Sequence, residues 1–174
     1  MGQPGAGKSV QSQLIEERLG MHWFSTGKMF RKMDDVDIVE TINRGVLIED
    51  DVVCQLVGEQ LKQIGFDKSI LLDGFPRTVP QAKWLLEHAD EINKHIKLVI
   101  YLTVDDEVAA MRLDNRGRVD DSEAARVQRD QEATRIVPTL EYLKQAGVGV
   151  LEIKANGSVE EIFEEVSAAI KEKL

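Results

Sequence analysis

Gly2-Gln3-Pro4-Gly5-Ala6-Gly7-Lys8-Ser9 satisfies the pattern G-x-x-x-x-G-K-[ST] at every fixed position. Those residue types at that spacing suit one task, the holding of a polyphosphate. Glycine tolerates the backbone angles that aim several N–H groups inward, and a helix from Ser9 would bring its positive end to the same point. Lys8 would then reach the β- and γ-phosphates, and the Ser9 hydroxyl would ligate Mg²⁺. Backbone at Gly5, Ala6, Gly7 and Val10 would line the cradle. Leu14, Ile15 and Leu19 follow at helical core spacing, which is the context the pattern requires.

Further cationic residues lie downstream. Arg112 and Arg116 are four apart and share a helix face, with Arg118 and Arg129 beyond them. Clustered like charges favour an anion among them. Phosphoryl transfer supplies one, since its catalysis is mostly positioning and charge stabilisation. For Arg126 and Arg135 the plainer reading, pairing with surface carboxylates, is preferred. Asp73 ends the apolar run Ile70-Leu71-Leu72, where a carboxylate can hold a water on Mg²⁺; Asp-Gly is also a common turn pair. His22, His88 and His95 are too scattered for a metal or nucleophile constellation. The single cysteine, Cys54, excludes an internal disulfide and a four-cysteine zinc site, and favours a reducing cytoplasm.

The elements that must position these residues alternate between short apolar runs and longer helical patterns. That predicts an α/β fold with a mainly parallel central sheet flanked by helices. Strands are expected at Met21–Phe24, Ser69–Leu72, Lys97–Leu102 and Val148–Ile153. Helices are expected at Ser9–Leu19, Asp50–Gln63, Val79–Glu87, Asp105–Arg116 and Val159–Lys173. A further helical stretch, Asp121–Gln145, contains Pro138, which predicts a kink or break. Asp50, Asp105 and Ser158 are expected caps, and Gly20 and Gly147 expected stops. A loop of this kind hangs from the end of a buried strand, yet only Met1 precedes Gly2. The expectation is therefore that Met1 is the last residue of a first strand otherwise missing from the sequence.

With 174 residues and no linker or repeat, one domain spanning 1–174 is expected. Thirty-one acidic against twenty-two basic residues give a net charge of −9, the wrong balance for a nucleic-acid partner. No apolar run is long enough to span a bilayer, and no leader pattern precedes Gly2, so neither a membrane partner nor a secretory signal is expected. Trp23 and Trp84 read as core packing, as do Met29, Phe30 and Met33. The acidic stretch from Glu160 to Glu172 reads as a solvated helix face, with Ile162, Phe163, Val166 and Ile170 turned inward.

Three segments in order after the loop carry a resemblance. They are Ser25-Thr26-Gly27-Lys28-Met29-Phe30-Arg31, Leu71-Leu72-Asp73-Gly74-Phe75-Pro76-Arg77-Thr78-Val79-Pro80-Gln81 and Gly117-Arg118-Val119-Asp120-Asp121. With Asn156-Gly157-Ser158 before the last helix, the chain resembles the adenylate kinases from Gly2 to its end. The resemblance implies Mg-dependent, reversible phosphoryl transfer from ATP to AMP, giving two ADP, by a cytoplasmic monomer without zinc. It implies that Thr26 and Gln81 bond the adenine of AMP, with Val46, Leu47, Ile48 and Gly74 beside them. Arg31 and Arg77 would hold the AMP phosphate. Arg116, Arg118 and Arg129 would contact the transferring phosphates, with Arg112 and Gly157 on the ATP side. Lys8, Arg77, Arg118 and Arg129 are thus the expected catalytic residues, and Ser9 and Asp73 the expected Mg²⁺ ligands. The AMP-binding segment would cover residues 25–53, as a reduced helical hairpin, and a minimal lid 116–118.

The chain departs from that family in three places. Only Gly117 separates Arg116 from Arg118, so a smaller lid and weaker exclusion of water are expected. Lys28 stands where an acid is usual and would draw phosphate contacts or pair with Asp73. Val10 replaces a usual threonine, keeping the N–H but losing the hydroxyl. Two other readings stay open on the residues alone: a kinase for UMP or CMP, against which Thr26 argues, and a non-catalytic nucleotide-binding protein on a degenerate kinase fold.

Overall fold

The structure, a computed structural model, describes residues 1–32, 48–64, 69–114 and 123–173, with side chains described except at 31, 114 and 123–133. Among the described residues, four short strands form two parallel pairs. β1 (His22–Ser25) lies beside β2 (Ile70–Asp73), with Ser25 opposite Asp73. β3 (Leu98–Thr103) lies beside β4 (Gly149–Lys154), with Thr103 opposite Lys154. All four fall where the apolar runs predict strands. The parallel α/β arrangement is the one expected; the strands are joined as two pairs, and Met1 adds one step of ladder to β3. The Met1 amino nitrogen donates to the Ile100 carbonyl at 2.6 Å, and the Leu102 N–H donates to the Met1 carbonyl at 2.9 Å. Gly2 continues this as a parallel bridge to Leu102. Met1 and Gly2 thus extend the β3 ladder by one step into the phosphate loop.

Helices cover both faces. α1 (Lys8–Leu19) and α7 (Val159–Lys173) pack on one side, where Ile15, Leu102, Ile153, Phe163 and Val166 are buried together. The four inward residues expected of α7 are all buried. Gln11 Nε2 on α1 donates to the Val159 carbonyl at 2.9 Å, and Arg18 meets Glu160 at 2.6 and 2.8 Å while its guanidinium lies over Phe163. These contacts fix α1, and hence the loop that it terminates, against the fold.

The opposite face carries α3 (Asp50–Gln63), α4 (Val79–Glu87) and α6 (Glu123–Gln145). Val57, Leu61, Phe75 and Leu85 form its core under Trp84. Gly58 sits within α3 because a Cβ there would lie 2.7 Å from Trp84 Cη2. Cys54, buried in the same layer, has its thiol pushed up to about 12 by burial and by Asp50 and Asp51, so it is inert near neutrality. Two short helices remain, α2 (Thr26–Arg31) and α5 (Asp106–Asp114).

Pro138 does not end α6, which runs as one element from Glu123 to Gln145. One turn of lost backbone bonding is tolerated because the same turn is fastened from outside. The Thr139 hydroxyl, fully buried, lies 2.8 Å from the Arg135 carbonyl and 3.3 Å from that of Arg77. Gly20 and Gly147 stop their helices in the left-handed conformation, as expected. Ser158 caps α7 in a reciprocal box, its hydroxyl accepting from the Glu161 N–H while Glu161 accepts from the Ser158 N–H. Asp50 departs from expectation: it is the first residue of α3, the preceding Glu49 supplies no side-chain cap, and the Asp50 carboxylate is used elsewhere. Met33 lies outside the described residues. Trp84 packs edge-on to Phe75 against the second core, as expected, and both Trp84 and Trp23 are half buried.

Candidate functional site

The loop from Gly2 to Gly7 leaves the Met1 ladder step and ends on α1. Gly5 and Gly7 take φ of 80° and 83°, left-handed values that a side chain resists. A Cβ at Gly5 would also lie 2.9 Å from the Ala109 backbone, so the loop is pressed against α5. Gly7 is the N-cap of α1 and offers no side-chain cap, which leaves the positive helix end turned into the loop. Ala6 is buried; Ser9 is half-buried in the first turn; Val10 is exposed, its N–H bonded to the Gly7 carbonyl at 3.1 Å. Lys8 Nζ bridges back over the loop, donating to Gly2 O at 2.7 Å and Gln3 O at 2.9 Å. Gln3 in turn bonds Val104 O. The ammonium is therefore held above the same backbone whose amides would cradle phosphate.

Arg112 ties this loop to a second one. Its guanidinium donates to Ala155 O at 2.8 Å, Gly157 O at 3.3 Å and Gly5 O at 3.4 Å. From the other side, the Asp105 N–H donates to Asn156 Oδ1 and Asn156 Nδ2 donates to Asp105, at 3.0 and 2.6 Å. Lys154 and Asn156 hold the Asp105 carboxyl below the usual carboxylate range. Asp105 precedes α5 as a cap should, but its carboxylate faces Asn156 and Lys154. Neither Asp105 nor Asn156 was expected as a site residue; the signals were a capping position at Asp105 and the Asn156-Gly157-Ser158 segment of the resemblance.

The second half of the site lies at the C-terminal ends of β1 and β2. Thr26, 2% exposed, has its hydroxyl 3.4 Å from the Asp73 carbonyl. Gly74 (φ 87°) must be glycine, because a Cβ would fall 2.4 Å from Thr26 Oγ1 and 3.1 Å from an Arg77 guanidinium nitrogen. Arg77 Nε donates to Gly74 O at 2.9 Å, and the Arg77 N–H donates to Gln81 Oε1 at 2.8 Å. Gln81 Nε2 donates to Asp50 Oδ1 at 2.7 Å, and Thr78 Oγ1 donates to Asp50 Oδ2 at 2.8 Å. Asp50, which sequence reading treated only as a cap, is thus the anchor that joins α3 to the Thr78–Gln81 turn. Ile48 packs against the same layer. Lys28 does not pair with Asp73: its ammonium stands on the Trp23 ring, 3.2 Å from the centroid.

Lys8 and Asp73 line one cavity, and both act through space on the Met1 amine, so the two halves of the site face each other across the Met1 step. Arg31 ends α2 and Arg129 lies within α6, which places their backbones only. Val46, Leu47, Arg116 and Arg118, with the expected lid and most of the expected AMP segment, lie outside the described residues. Among the described residues no group of three His, Cys, Asp or Glu could hold a metal, and no helix is long and apolar enough to cross a membrane.

A glycine loop closed on a helix start, beside the C-terminal ends of parallel strands, defines a P-loop nucleotide-binding α/β protein. Comparison with known proteins narrows the class. Residues 1–148 match the sequence profile of the family described as "Adenylate kinase". The "Adenylate kinase" of Synechococcus sp. (strain CC9902) is 37% identical over 177 residues, covering 95% of this chain and 93% of its own. That of Parasynechococcus marenigrum (strain WH8102) is also 37% identical, over 98% and 96%. That of Corynebacterium glutamicum (strain R) is 34% identical over 93% and 92%. The chain belongs to the adenylate kinase family.

Proposed function

We infer that this chain catalyses reversible phosphoryl transfer from ATP to AMP, giving two ADP, with Mg²⁺. The observation that carries the reading is the pairing of a Lys8-topped anion loop with the Thr26–Gly74–Arg77–Gln81 turn at the adjoining strand ends. The first is built for a polyphosphate, the second for a base and a single phosphate. Thr26 supports AMP over the UMP and CMP alternative. An intact Lys8, Asp73 and Arg77 support catalysis over binding alone.

In this mechanism the loop amides and the α1 end bind the β- and γ-phosphates of ATP, and Arg112 holds the 155–157 loop against them. Arg77 aims the AMP phosphate by planar, charge-assisted contacts, with its Nε donating to Gly74 O and its N–H to Gln81 Oε1. An AMP phosphate oxygen attacks the γ-phosphorus as the bond to the β–γ bridging oxygen breaks. Lys8 leaves the Gly2 and Gln3 carbonyls for the phosphates and neutralises charge on the transferring group. Arg31, Arg116, Arg118 and Arg129 are proposed for the remaining phosphate oxygens. Ser9 and Asp73 fit Mg²⁺, since a hydroxyl and one carboxylate suit a hard cation that takes its other oxygens from phosphates and water. When bound, the ion supplies further neutralisation of that charge. The proposed organisation is one domain with an AMP segment at 25–53 and a lid at 116–118, acting as a cytoplasmic monomer.

A coupled ADP assay across AMP, UMP, CMP and GMP tests the specificity: AMP is expected to be the best acceptor, and equal rates with UMP or CMP would transfer the reading to the pyrimidine alternative. The two anchors should separate. Asp50→Ala is expected to raise KM for AMP about three- to tenfold with little change for ATP, because it releases Gln81 and Thr78. Asp105→Ala should do the reverse, raising KM for ATP by a similar factor as the 155–157 loop loosens. Identical changes in both constants for both variants would remove these assignments.

A further inference from the structure

We propose that Thr139 is a positioning residue for phosphoryl transfer, its buried hydroxyl tying α6 to the Arg77 main chain so that the guanidinium is aimed at the reacting phosphate. This assignment rests on the ATP-to-AMP reading. Thr139 is fully buried on the face of α6 that also carries Ile136 and Leu143, which pack with Leu140, Ala82 of α4 and Val99 of β3. An apolar side chain would fill such a place without a partner, whereas a buried hydroxyl must find one. Thr139 has two within reach, the Arg135 carbonyl at 2.8 Å and the Arg77 carbonyl at 3.3 Å.

The first contact is a local habit of threonine in any helix. The second is not local. Arg77 lies 62 residues earlier in the chain, in the turn between β2 and α4. Within that turn its Nε donates to Gly74 O and its N–H to Gln81 Oε1. Asp50 fastens the Thr78 and Gln81 side of the turn to α3. Thr139 fastens the Arg77 side to α6. Pro138 marks the point of attachment: with no N–H for the carbonyl four residues back, it weakens one turn of the helix, and the next residue grips Arg77. The same helix carries Arg129, so one hydroxyl sets the turn bearing one arginine against the element bearing another.

The two ties should act on different kinetic constants. Asp50 holds Gln81 at the base-binding end, so its loss falls on AMP affinity. The Thr139 bonds go to main-chain carbonyls beside the phosphate-aiming residue. Without them the guanidinium still attracts the phosphate but holds it less well in line. Phosphoryl transfer depends on that alignment, because it asks little covalent chemistry of the protein.

The test is steady-state kinetics on the full chain with ATP and AMP varied. It is paired with the nitrogen resonance of the Thr78 amide, which shares a peptide unit with the Arg77 carbonyl. Thr139→Val keeps the branched shape and drops the hydroxyl; it is expected to lower kcat about tenfold or more, with both KM values within about twofold of the parent. Thr139→Ser keeps the hydroxyl and should retain kcat within about twofold. The Thr78 resonance should shift in the Thr139→Val protein and hold in the Thr139→Ser protein. If Thr139→Val lacks the parent's far-ultraviolet spectrum, Thr139→Ser and Thr139→Ala, which differ by one oxygen, carry the same comparison, with the loss expected in Thr139→Ala alone. Parental kcat without the hydroxyl, an equal loss in Thr139→Ser, or a loss that falls on KM instead would overturn the proposal. An unmoved Thr78 resonance would do so without reference to turnover. A parent chain that forms no ADP would overturn the catalytic reading, and this assignment with it.

Discussion

Alanine at Lys8 is expected to lower kcat for ADP formation about 10²–10³-fold, the usual loss when one preorganised charge is taken from a site of developing negative charge. The fold should survive, because Lys8 is half-buried and its bonds to Gly2 O and Gln3 O are made within the loop itself. The far-ultraviolet spectrum is therefore expected to match that of the parent. Arginine at the same position should not restore the rate: a planar fork does not replace a compact ammonium over a loop pressed onto Ala109. Steady-state kinetics with ATP and AMP both varied would check this. A loss below about threefold would remove Lys8 from the reaction.

A chain with a free amine at Met1 should lose stability as pH falls from about 8 towards 5. The amine is moved from 8.0 to about 5, chiefly by burial, then by Lys8, with Asp73 opposing. Over that window the unfolded state binds a proton that the folded state refuses, so unfolding free energy rises with pH. Three units correspond to about 4 kcal/mol at most, a large share of the total for a domain of this size. Acetylating the amine should flatten the profile between pH 5 and 8. Asp105, Glu160 and Glu161 are lowered below their ordinary values, so their contributions are present above those values and lost only at more acid pH. Urea titrations at several pH values would measure the effect, and parallel profiles for free and acetylated chains would contradict it.

Where local chemistry decides structure, the sequence was readable. The loop Gly2–Ser9, the capping box at Ser158 and the inward face of α7 each follow from a few adjacent residues. Thr26, Gly74, Arg77 and Gln81 stood out through family resemblance, and the structure sets Thr26, at the start of α2, beside the turn that carries the other three. What was not legible depends on pairs distant in the chain. Asp50 reads as a helix cap until Thr78 and Gln81, 28 and 31 residues away, are placed on its carboxylate. Pro138 reads as a break until Thr139 is found against Arg77. Lys28 reads as a partner for Asp73 until the nearer Trp23 ring takes it.

The central claim is that the loop and the turn beside it form one site for moving phosphate between two nucleotides. Its most direct test is the stoichiometry of ADP formed from ATP and AMP with Mg²⁺. The account predicts two ADP for each AMP consumed, at a rate abolished by leaving out AMP and cut sharply in the Lys8→Ala protein. ATP bound tightly with no ADP formed from the pair would contradict it and leave a nucleotide-binding protein on a kinase fold.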